Sequence, residues 1–252
     1  MKIAVLIKQV PDTTSKIAVS AGMVDESSIN KWSISPYDEY ALESALRLKD
    51  SESAELVAIT CGPSRAVKAL TEAAAVGADS LIHIVVDGGL MDSTQVQSLL
   101  AAAVKHAGAG VVLCGKQAAD TNGGSTGPGI ARTLGFACVG MVSEVNVDGG
   151  SFVATRAGPS GLEVVEVSAP CLFTFDKGTN ELRRPNVRGI MMAKKKEVEA
   201  ISASDLGVDI GESAVRVESH SSPPVKPPGQ KFEGADSVSV VVGKLREEAN
   251  VI

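Results

Sequence analysis

The stretch AGVVLCGKQAADTNGGSTG, residues 109–127, joins an uninterrupted apolar run to a loop rich in glycine and hydroxyl side chains. Its first part, AGVVLCG, has no polar alternation, which is typical of a strand buried on both faces of a parallel sheet. The segment GPGIARTLG that follows (127–135) predicts a helix. Doubly wound sheets bind ligands at the carboxyl ends of their strands, so the glycine loop (residues 115–127) is predicted to be a binding loop.

Upstream of the glycine loop, three more apolar runs alternate with helical patterns. KIAVLIK (2–8), ELVAIT (55–60) and SLIHIVV (80–86) predict strands. Helices are predicted at residues 35–51, 63–78 and 93–108, with Ser35 and Ser93 as N-caps and Pro36 in the first turn. This alternation predicts an α/β fold with a doubly wound, mainly parallel sheet and right-handed crossovers.

The pattern changes in the second half of the chain. Residues 139–157 and 161–175 contain further β runs, the first pair joined at Asp-Gly-Gly, and we interpret them as antiparallel hairpin material added to the sheet. Residues 179–252 have little core pattern, and only the end of this segment predicts a short helix. We therefore predict an α/β domain over residues 1–178 and an extended arm over residues 179–252 that packs on another subunit.

The composition excludes several classes of protein. A net charge of −6 over 252 residues argues against general nucleic-acid binding, which usually shows as a basic surplus. No apolar stretch reaches the roughly 18 residues of a membrane span, and the N-terminal run is too short for a signal peptide. Cys61, Cys114, Cys138 and Cys171 are widely spaced in apolar runs, which favours buried free thiols in a reducing compartment. We expect a cytoplasmic protein that neither inserts into a membrane nor binds nucleic acid.

The glycine loop has the features of a phosphate site. Its glycines let backbone N–H groups approach a ligand, the next helix supplies a positive dipole end, and Ser125 and Thr126 add hydroxyl groups. A nucleotide-binding loop is the favoured interpretation, and a long flexible connection is the alternative. The loop lacks the lysine of a Walker A motif, and GPGIAR lacks the third glycine of a dinucleotide fingerprint. DGGLMDS (87–93) only weakly resembles the SGGxDS loop of ATP pyrophosphatases, because it is one residue longer.

No catalytic group of residues stands out. His83 falls within a predicted strand, His106 at a helix end and His220 in a Pro-rich segment, and none has the spacing of a triad. The acids Asp38, Glu39 and Glu43 are interpreted as a cluster at a helix N-terminus. The sequence therefore predicts binding without acid–base chemistry of its own.

Stretches in order along nearly the whole chain resemble the β subunit of electron transfer flavoproteins. They are KIAVLIKQVPD (2–12), CGP (61–63), GKQAADTNGGSTGPG (115–129), VATRAGPSGLEVVEVSAPCLFT (153–174), and NELRRPNVRGIMMAKKKEVE (180–199) followed by DLGVD (205–209). The resemblance implies an adenine nucleotide hydrolase-like fold and a heterodimer with an α subunit that carries the redox-active FAD. It also implies that the long C-terminal arm embraces the α subunit.

The resemblance also implies which residues hold a nucleotide. The first-strand contact falls on Leu6, the segment before the first helix on Ser35 to Asp38, and Tyr37 matches a position whose ring packs near the α-subunit flavin. The full set of candidate nucleotide residues is Leu6, Ser35, Pro36, Tyr37, Asp38, Cys61, Gly115, Lys116, Gln117, Ala118, Ala119, Asp120, Thr121, Asn122, Gly123, Gly124, Ser125 and Thr126. Asp120 and the run Gly124, Ser125, Thr126 are expected closest to ribose and phosphate.

The nucleotide itself stays open between two kinds of family member. Ordinary members hold AMP in the β subunit, and electron-bifurcating members hold a second FAD. GP after the loop leans towards the bifurcating type, whereas AKKKEVE (193–199) leans towards the ordinary type, and we favour AMP. A universal-stress-like nucleotide-sensing module and a pyrophosphatase-like ligase are the alternatives from other classes.

A recognition segment (residues 183–196) is implied to dock partner proteins, namely acyl-CoA or other dehydrogenases and, downstream, a membrane quinone oxidoreductase. Its candidate contacts are Val187, Arg188, Ile190 and Lys195. Val187 stands where the family has a leucine that anchors the dehydrogenase. The shorter side chain leaves the identity of the dehydrogenase open.

Overall fold

A computed structural model describes residues 1–86, 91–226 and 228–252. Its helices in this part of the chain are α1 (Pro36–Glu52), α2 (Val67–Val76), α3 (Ser93–Ala107), α4 (Thr126–Leu134), α5 (Val187–Ala193) and α6 (Val238–Glu247). Its strands are β1 (Lys2–Leu6), β2 (Gln9–Pro11), β3 (Val19–Ser20), β4 (Met23–Val24), β5 (Trp32–Ile34), β6 (Glu55–Gly62), β7 (Ser80–Val85), β8 (Val111–Gly115), β9 (Ala137–Asp148), β10 (Ser151–Gly158), β11 (Gly161–Val167), β12 (Cys171–Phe175) and β13 (Glu199–Ile201).

The main sheet has nine strands in the order β11-β10-β9-β12-β8-β1-β6-β7-β13. The strands from β9 to β13 in this order run parallel, and β10 and β11 add an antiparallel hairpin at one edge. From β1 the chain first moves outward to β6 and β7, then returns to place β8 on the other side of β1. The strand order therefore reverses between β1 and β8, which is the switch point of a doubly wound sheet. The predicted fold class is confirmed.

Helices cover both faces of the sheet. Leu42, Ala45 and Leu46 of α1 are buried and lie in one core cluster together with residues of α2. Leu99 and Leu100 of α3 belong to a second cluster on the opposite face, together with residues of α4. The strands β1, β6, β7 and β8 are mostly buried between these two clusters, which explains why their apolar runs show no polar alternation.

Two local predictions are wrong, and a third, Ser35 as the N-cap of α1, is confirmed in its position but not in its side-chain bond. Ser93 is the first residue of α3 and not its N-cap, because Asp92 forms a complete capping box with Gln95. Ser35 does occupy the N-cap position of α1, but its Oγ accepts from the backbone N–H of Ala119 at 3.3 Å instead of capping the helix. The strand β12, interpreted as antiparallel hairpin material, runs parallel between β8 and β9, where it is buried throughout.

Part of the predicted arm lies on the α/β body. Arg183 forms ion pairs with the buried Glu43 at 3.0 Å and with Asp50 at 2.9 Å. The strand β13 extends the sheet beside β7, and α5 packs on α2. Further along the chain, α6 buries none of its residues. The domain division at residue 178 stays a prediction. The strand β13, which pairs with β7 of the main sheet, lies after this division in the sequence.

The N-terminus of α3 fastens the arm through the same two residues that form its capping box. Asp92 Oδ1 accepts from the N–H of Gln95 at 2.9 Å, while Asp92 Oδ2 accepts from the N–H of Ala214 at 2.6 Å. Gln95 Nε2 donates to the carbonyls of Ile210 and Gly211 at 3.3 and 3.2 Å, and its Oε1 accepts from the N–H of Asp92. The side-chain amide nitrogen of Gln95 therefore binds the arm, and its side-chain amide oxygen completes the cap of α3.

We predict that Gln95→Glu loosens the arm and leaves the helix cap intact. Glutamate keeps the oxygen that accepts from Asp92 but loses both bonds to the arm carbonyls. Hydrogen exchange measured by mass spectrometry should rise roughly fivefold around residues 210–214, the equivalent of about 1 kcal/mol for a lost hydrogen bond. Ser98→Ala on the same helix is the matched control, since Ser98 Oγ donates to the carbonyl of Thr94 within α3. Unchanged exchange in Gln95→Glu would contradict the assignment.

Candidate functional site

A cavity of about 230 Å³ lies at the carboxyl ends of β1 and β8, at the switch point of the sheet. Most of its wall is made by the glycine loop, the end of β1 and the first turns of α3. The described lining residues are Leu6, Ile7, Lys8, Asp38, Cys61, Met91, Asp92, Ser93, Val96, Leu100, Cys114, Gly115, Gln117, Ala118, Thr121, Gly123, Gly124, Ser125 and Thr126.

The structure brings together most of the residues proposed from the sequence. Those that do not line the cavity directly are Ser35, Pro36, Tyr37, Lys116, Ala119, Asp120 and Asn122. Sequence reasoning missed the first turns of α3, represented by Ser93 and Val96, and it missed Lys8. The proximity of α3 to the glycine loop depends on strand order, which the local pattern does not contain. Residues 87–90, most of the segment compared with ATP pyrophosphatases, lie outside the described residues.

Hydrogen bonds within the glycine loop hold its shape. The N–H of Asn122 donates to the carbonyl of Ala118 at 2.8 Å, and Gln117 Nε2 donates to Asn122 Oδ1 at 2.8 Å. Asn122 and Gly124 have positive φ angles of +51° and +67°, so the chain turns back sharply on both sides of Gly123. Gln97 of α3 fixes the far end, because its Nε2 donates to the carbonyl of Ser125 at 3.1 Å.

Gly115 is required by a close approach of α1 to the end of β8. A Cβ atom on this residue would lie 2.5 Å from Asp38 Oδ1 and 2.7 Å from the Cβ of Tyr37. Neither contact distance is compatible with a side chain at position 115. The glycine therefore lets the first turn of α1 close against the start of the glycine loop.

Asp38 is the buried acid of the site. Its Oδ2 accepts from the N–H of Lys8 and its Oδ1 from the N–H of Gly115, each at 2.8 Å. Desolvation by burial raises the pKa of Asp38 to about 7, against the opposing effect of these two hydrogen bonds. The carboxyl group thus joins the ends of β1 and β8, and its proton occupancy changes near neutral pH.

Two ion pairs engage the charged residues of the glycine loop. Lys8 Nζ lies 2.8 Å from both carboxylate oxygens of Asp120. Lys116 Nζ lies 2.9 Å from Asp176 and 4.9 Å from the centre of the Tyr37 ring. Burial acts to raise the pKa of Asp176, but the hydrogen bonds from Lys116 and from its neighbouring backbone outweigh it, so that the pKa is lowered.

The thiols at the cavity are apolar wall groups. Burial raises the pKa of Cys61 to about 12, and it raises the pKa of Cys114 well above its ordinary value. Both are therefore protonated at neutral pH and are poor nucleophiles. Cys171 is buried as predicted, whereas Cys138 is exposed at the start of β9, contrary to the interpretation of all the thiols as buried. Among the described residues, no group of three or more His, Cys, Asp or Glu is arranged to hold a metal ion.

The recognition segment forms an exposed surface that is separate from the cavity. It contains α5, whose N-cap Asn186 accepts from the N–H of Gly189 at 2.7 Å. Val187 is 76% exposed, and Arg188, Ile190 and Lys195 are exposed as well. None of these four residues lines the cavity.

The fold and the cavity define the class of the protein. It is a doubly wound α/β protein with a cavity at the carboxyl ends of its parallel strands, where this class binds its ligands. In the described part of the chain, no helix combines the length and apolar character required to cross a bilayer.

Comparison with known proteins identifies the family. The sequence model described as "Electron transfer flavoprotein domain" matches residues 23–206. The electron transfer flavoprotein subunit beta of Bacillus subtilis (strain 168) is 31% identical over 258 aligned positions, covering all of both chains. The subunit beta of Clostridium acetobutylicum is 36% identical, covering 98% of this chain and 99% of the relative, and that of Mus musculus is 33% identical, covering 100% and 99%. The chain belongs to the electron transfer flavoprotein β-subunit family, as the resemblance in its motifs indicated.

The raised pKa of Asp38 predicts a pH dependence of stability. The folded state binds the proton more tightly than the unfolded state, so this contribution is complete below about pH 4 and is lost as the pH rises to about 7. Asp38→Asn has the same size and cannot ionise. The difference in unfolding free energy between wild type and Asp38→Asn should therefore shrink by up to about 1.4 kcal/mol per pH unit across this window.

Urea unfolding at several pH values measures this difference directly. Lys8, Asp120 and Cys114, the titratable groups that face Asp38, are present in both proteins and cancel in the comparison. Parallel stability curves for the two proteins would show that the Asp38 carboxyl does not titrate between pH 4 and 7.

Proposed function

We propose that this chain is the β subunit of a heterodimeric electron transfer flavoprotein that holds AMP in the cavity and carries no catalytic residues. An FAD in the α subunit carries the electrons. The observation that supports this proposal is the position of the cavity in a chain of this family: it lies at the switch point and is walled by a preformed glycine loop. Backbone N–H groups there, together with Ser125 and Thr126 at the start of α4, suit a phosphate.

The size of the cavity favours the smaller of the two ligands. FAD contains an AMP unit and is therefore larger than AMP, and the cavity of about 230 Å³ lies below the roughly 300–1,000 Å³ that is typical of small-molecule sites. We therefore propose AMP. A second FAD in this subunit, which would make the protein electron-bifurcating, is the alternative within the same family.

The side chains around the cavity support a role in retention and not in chemistry. Asp38 and Asp92 are occupied by hydrogen bonds from the backbone, and the two thiols are protonated. The described lining residues include no histidine. His83 lies within β7 and contacts the carbonyl of Gly62 at 2.8 Å.

The exposed apolar surfaces support a role in assembly. The helix α6 presents Val238, Val240 and Leu245 to solvent, as an arm that closes on an α subunit would. The recognition segment presents Val187 and Ile190, which we assign to the docking of acyl-CoA or other dehydrogenases. A membrane quinone oxidoreductase is the proposed acceptor of the electrons, and the cytoplasm the proposed location. A universal-stress-like module would instead self-associate and contain no flavin.

The identity of the nucleotides tests the proposal. The chain, co-expressed with an electron transfer flavoprotein α subunit and denatured after purification, should release one FAD and one AMP per heterodimer, measured by chromatography. Gly124→Val should lower AMP retention roughly tenfold, because φ at this position is +67°, a conformation that costs a branched residue about 1–2 kcal/mol. Gly149→Val, with φ of +55° in the β9–β10 turn, imposes similar backbone strain away from the cavity.

Each other result has a defined meaning. Two FAD and no AMP would replace the proposal by the bifurcating alternative. A purified chain with neither an α subunit nor flavin would contradict the whole assignment. Equal AMP loss in the Gly124 and Gly149 variants would show that the loss reflects general destabilisation.

We predict that removing residues 221–252 abolishes binding to the α subunit while the cavity keeps its AMP. The cut leaves Arg183, β13 and the contacts of Asp92 in place, so the α/β body remains complete. Size-exclusion chromatography with light scattering should show a monomer for the truncated chain and a heterodimer for the full chain. A stable heterodimer without these residues would refute the assignment of this part of the arm.

A further inference from the structure

Lys8 has an unusual position at the cavity. It lies two residues after the end of β1, its backbone N–H donates to Asp38, and its Nζ donates to Asp120 of the glycine loop. Among the described lining residues it is the one lysine or arginine. Asp120 lies between Ala118 and Thr121, which line the cavity.

The charged residues of the glycine loop depend on partners outside the loop, and Lys8 is one of these partners. The loop carries one lysine and one aspartate, and both are paired with residues outside the loop. Lys116 is engaged by Asp176 on the side of Tyr37, and neither Lys116 nor Asp176 lines the cavity. Without Lys8, the carboxylate of Asp120, next in the chain to the lining residue Thr121, would therefore have no positive charge from the loop to neutralise it.

The other acids of the wall are Asp92 and Asp38, and both line the cavity. Backbone N–H groups donate to both carboxyl groups, which stabilises them without cancelling their charge. Both acids are the same in every variant compared below, so their effect on the ligand is constant. A phosphate monoester carries up to two negative charges near neutral pH, so a nearby uncompensated carboxylate would repel it.

We infer that Lys8 is a specificity residue, which makes the cavity prefer a phosphate-bearing nucleotide over the corresponding nucleoside by neutralising Asp120. This inference rests on the proposed nucleotide function. The alternative is a purely structural role, in which the ion pair between Lys8 and Asp120 holds the glycine loop in place and has no effect on ligand charge. The pair is partly exposed, with 42% of the Lys8 side chain and 27% of that of Asp120 accessible, and such pairs stabilise folds little. Its main effect is therefore on the field at the cavity.

The test compares AMP with adenosine, which differ in the phosphate alone. Titration calorimetry on the full-length chain, freed of bound nucleotide, gives both dissociation constants. Lys8→Met should raise the constant for AMP about tenfold and that for adenosine less than about twofold, because only the charged ligand senses the exposed carboxylate. Asp120→Asn should lower the constant for AMP about threefold and leave that for adenosine unchanged.

The double variant separates charge from structure. Lys8→Met with Asp120→Asn lacks the ion pair but restores the charge balance, so its constant for AMP should return to within about threefold of wild type. A loop held in place by the ion pair would show no such recovery. Lys2→Met is the matched control, since Lys2 pairs with Glu55 at 3.2 Å near the opposite end of β1.

The contrary results are distinct. An equal loss of AMP and adenosine binding in Lys8→Met, or a double variant no better than Lys8→Met, would overturn the specificity role and leave the proposed function standing. A wild-type chain that binds no AMP would overturn both. If Lys8→Met fails to fold, the response of Asp120→Asn to the two ligands decides the question on its own, and unchanged AMP binding there overturns the inference.

Discussion

The two hydrogen bonds that Asp38 accepts, from the N–H groups of Lys8 and Gly115 at 2.8 Å each, connect the segment after β1 to the end of β8. These strands are neighbours at the switch point, where the helices that follow them leave towards opposite faces of the sheet. A gap at this place is inherent in doubly wound sheets. Asp38 bridges it with its two hydrogen bonds, and Gly115 allows this close approach because it has no Cβ.

A buried carboxyl group at this position has opposing effects. Two N–H donors favour its charged form, whereas the lack of water favours its neutral form, and desolvation prevails. The fold keeps this group although it costs stability as the pH approaches 7. The compensation is geometric, because one side chain satisfies two backbone donors on separate strands and still leaves the space beside it open for a ligand.

The sequence predicted the elements that carry a local signal, and it missed those that form only through contacts with distant residues. The parallel strands β1, β6, β7 and β8, the helix α1 and the glycine loop were predictable because each carries its own periodic or compositional signal. The strand β13 was missed, since Glu199–Ile201 is too short and too polar to form an apolar run and exists through its pairing with β7. Glu43 was interpreted as part of a helix N-terminal cluster, but Arg183, 140 residues further on, covers it and makes it a buried anchor.

The cavity, too, combines residues that a local sequence pattern predicts with residues that only the strand order brings close. The sequence indicated the glycine loop and its hydroxyl groups, and the family resemblance added Leu6, Asp38 and Cys61. Lys8 and the first turn of α3 could not be inferred, because their nearness to the loop follows from the strand order β8-β1-β6-β7. In this order α3 packs beside α4, and its first turn both walls the cavity and holds the arm through Asp92. The cavity and the arm therefore share one structural element, the N-terminus of α3.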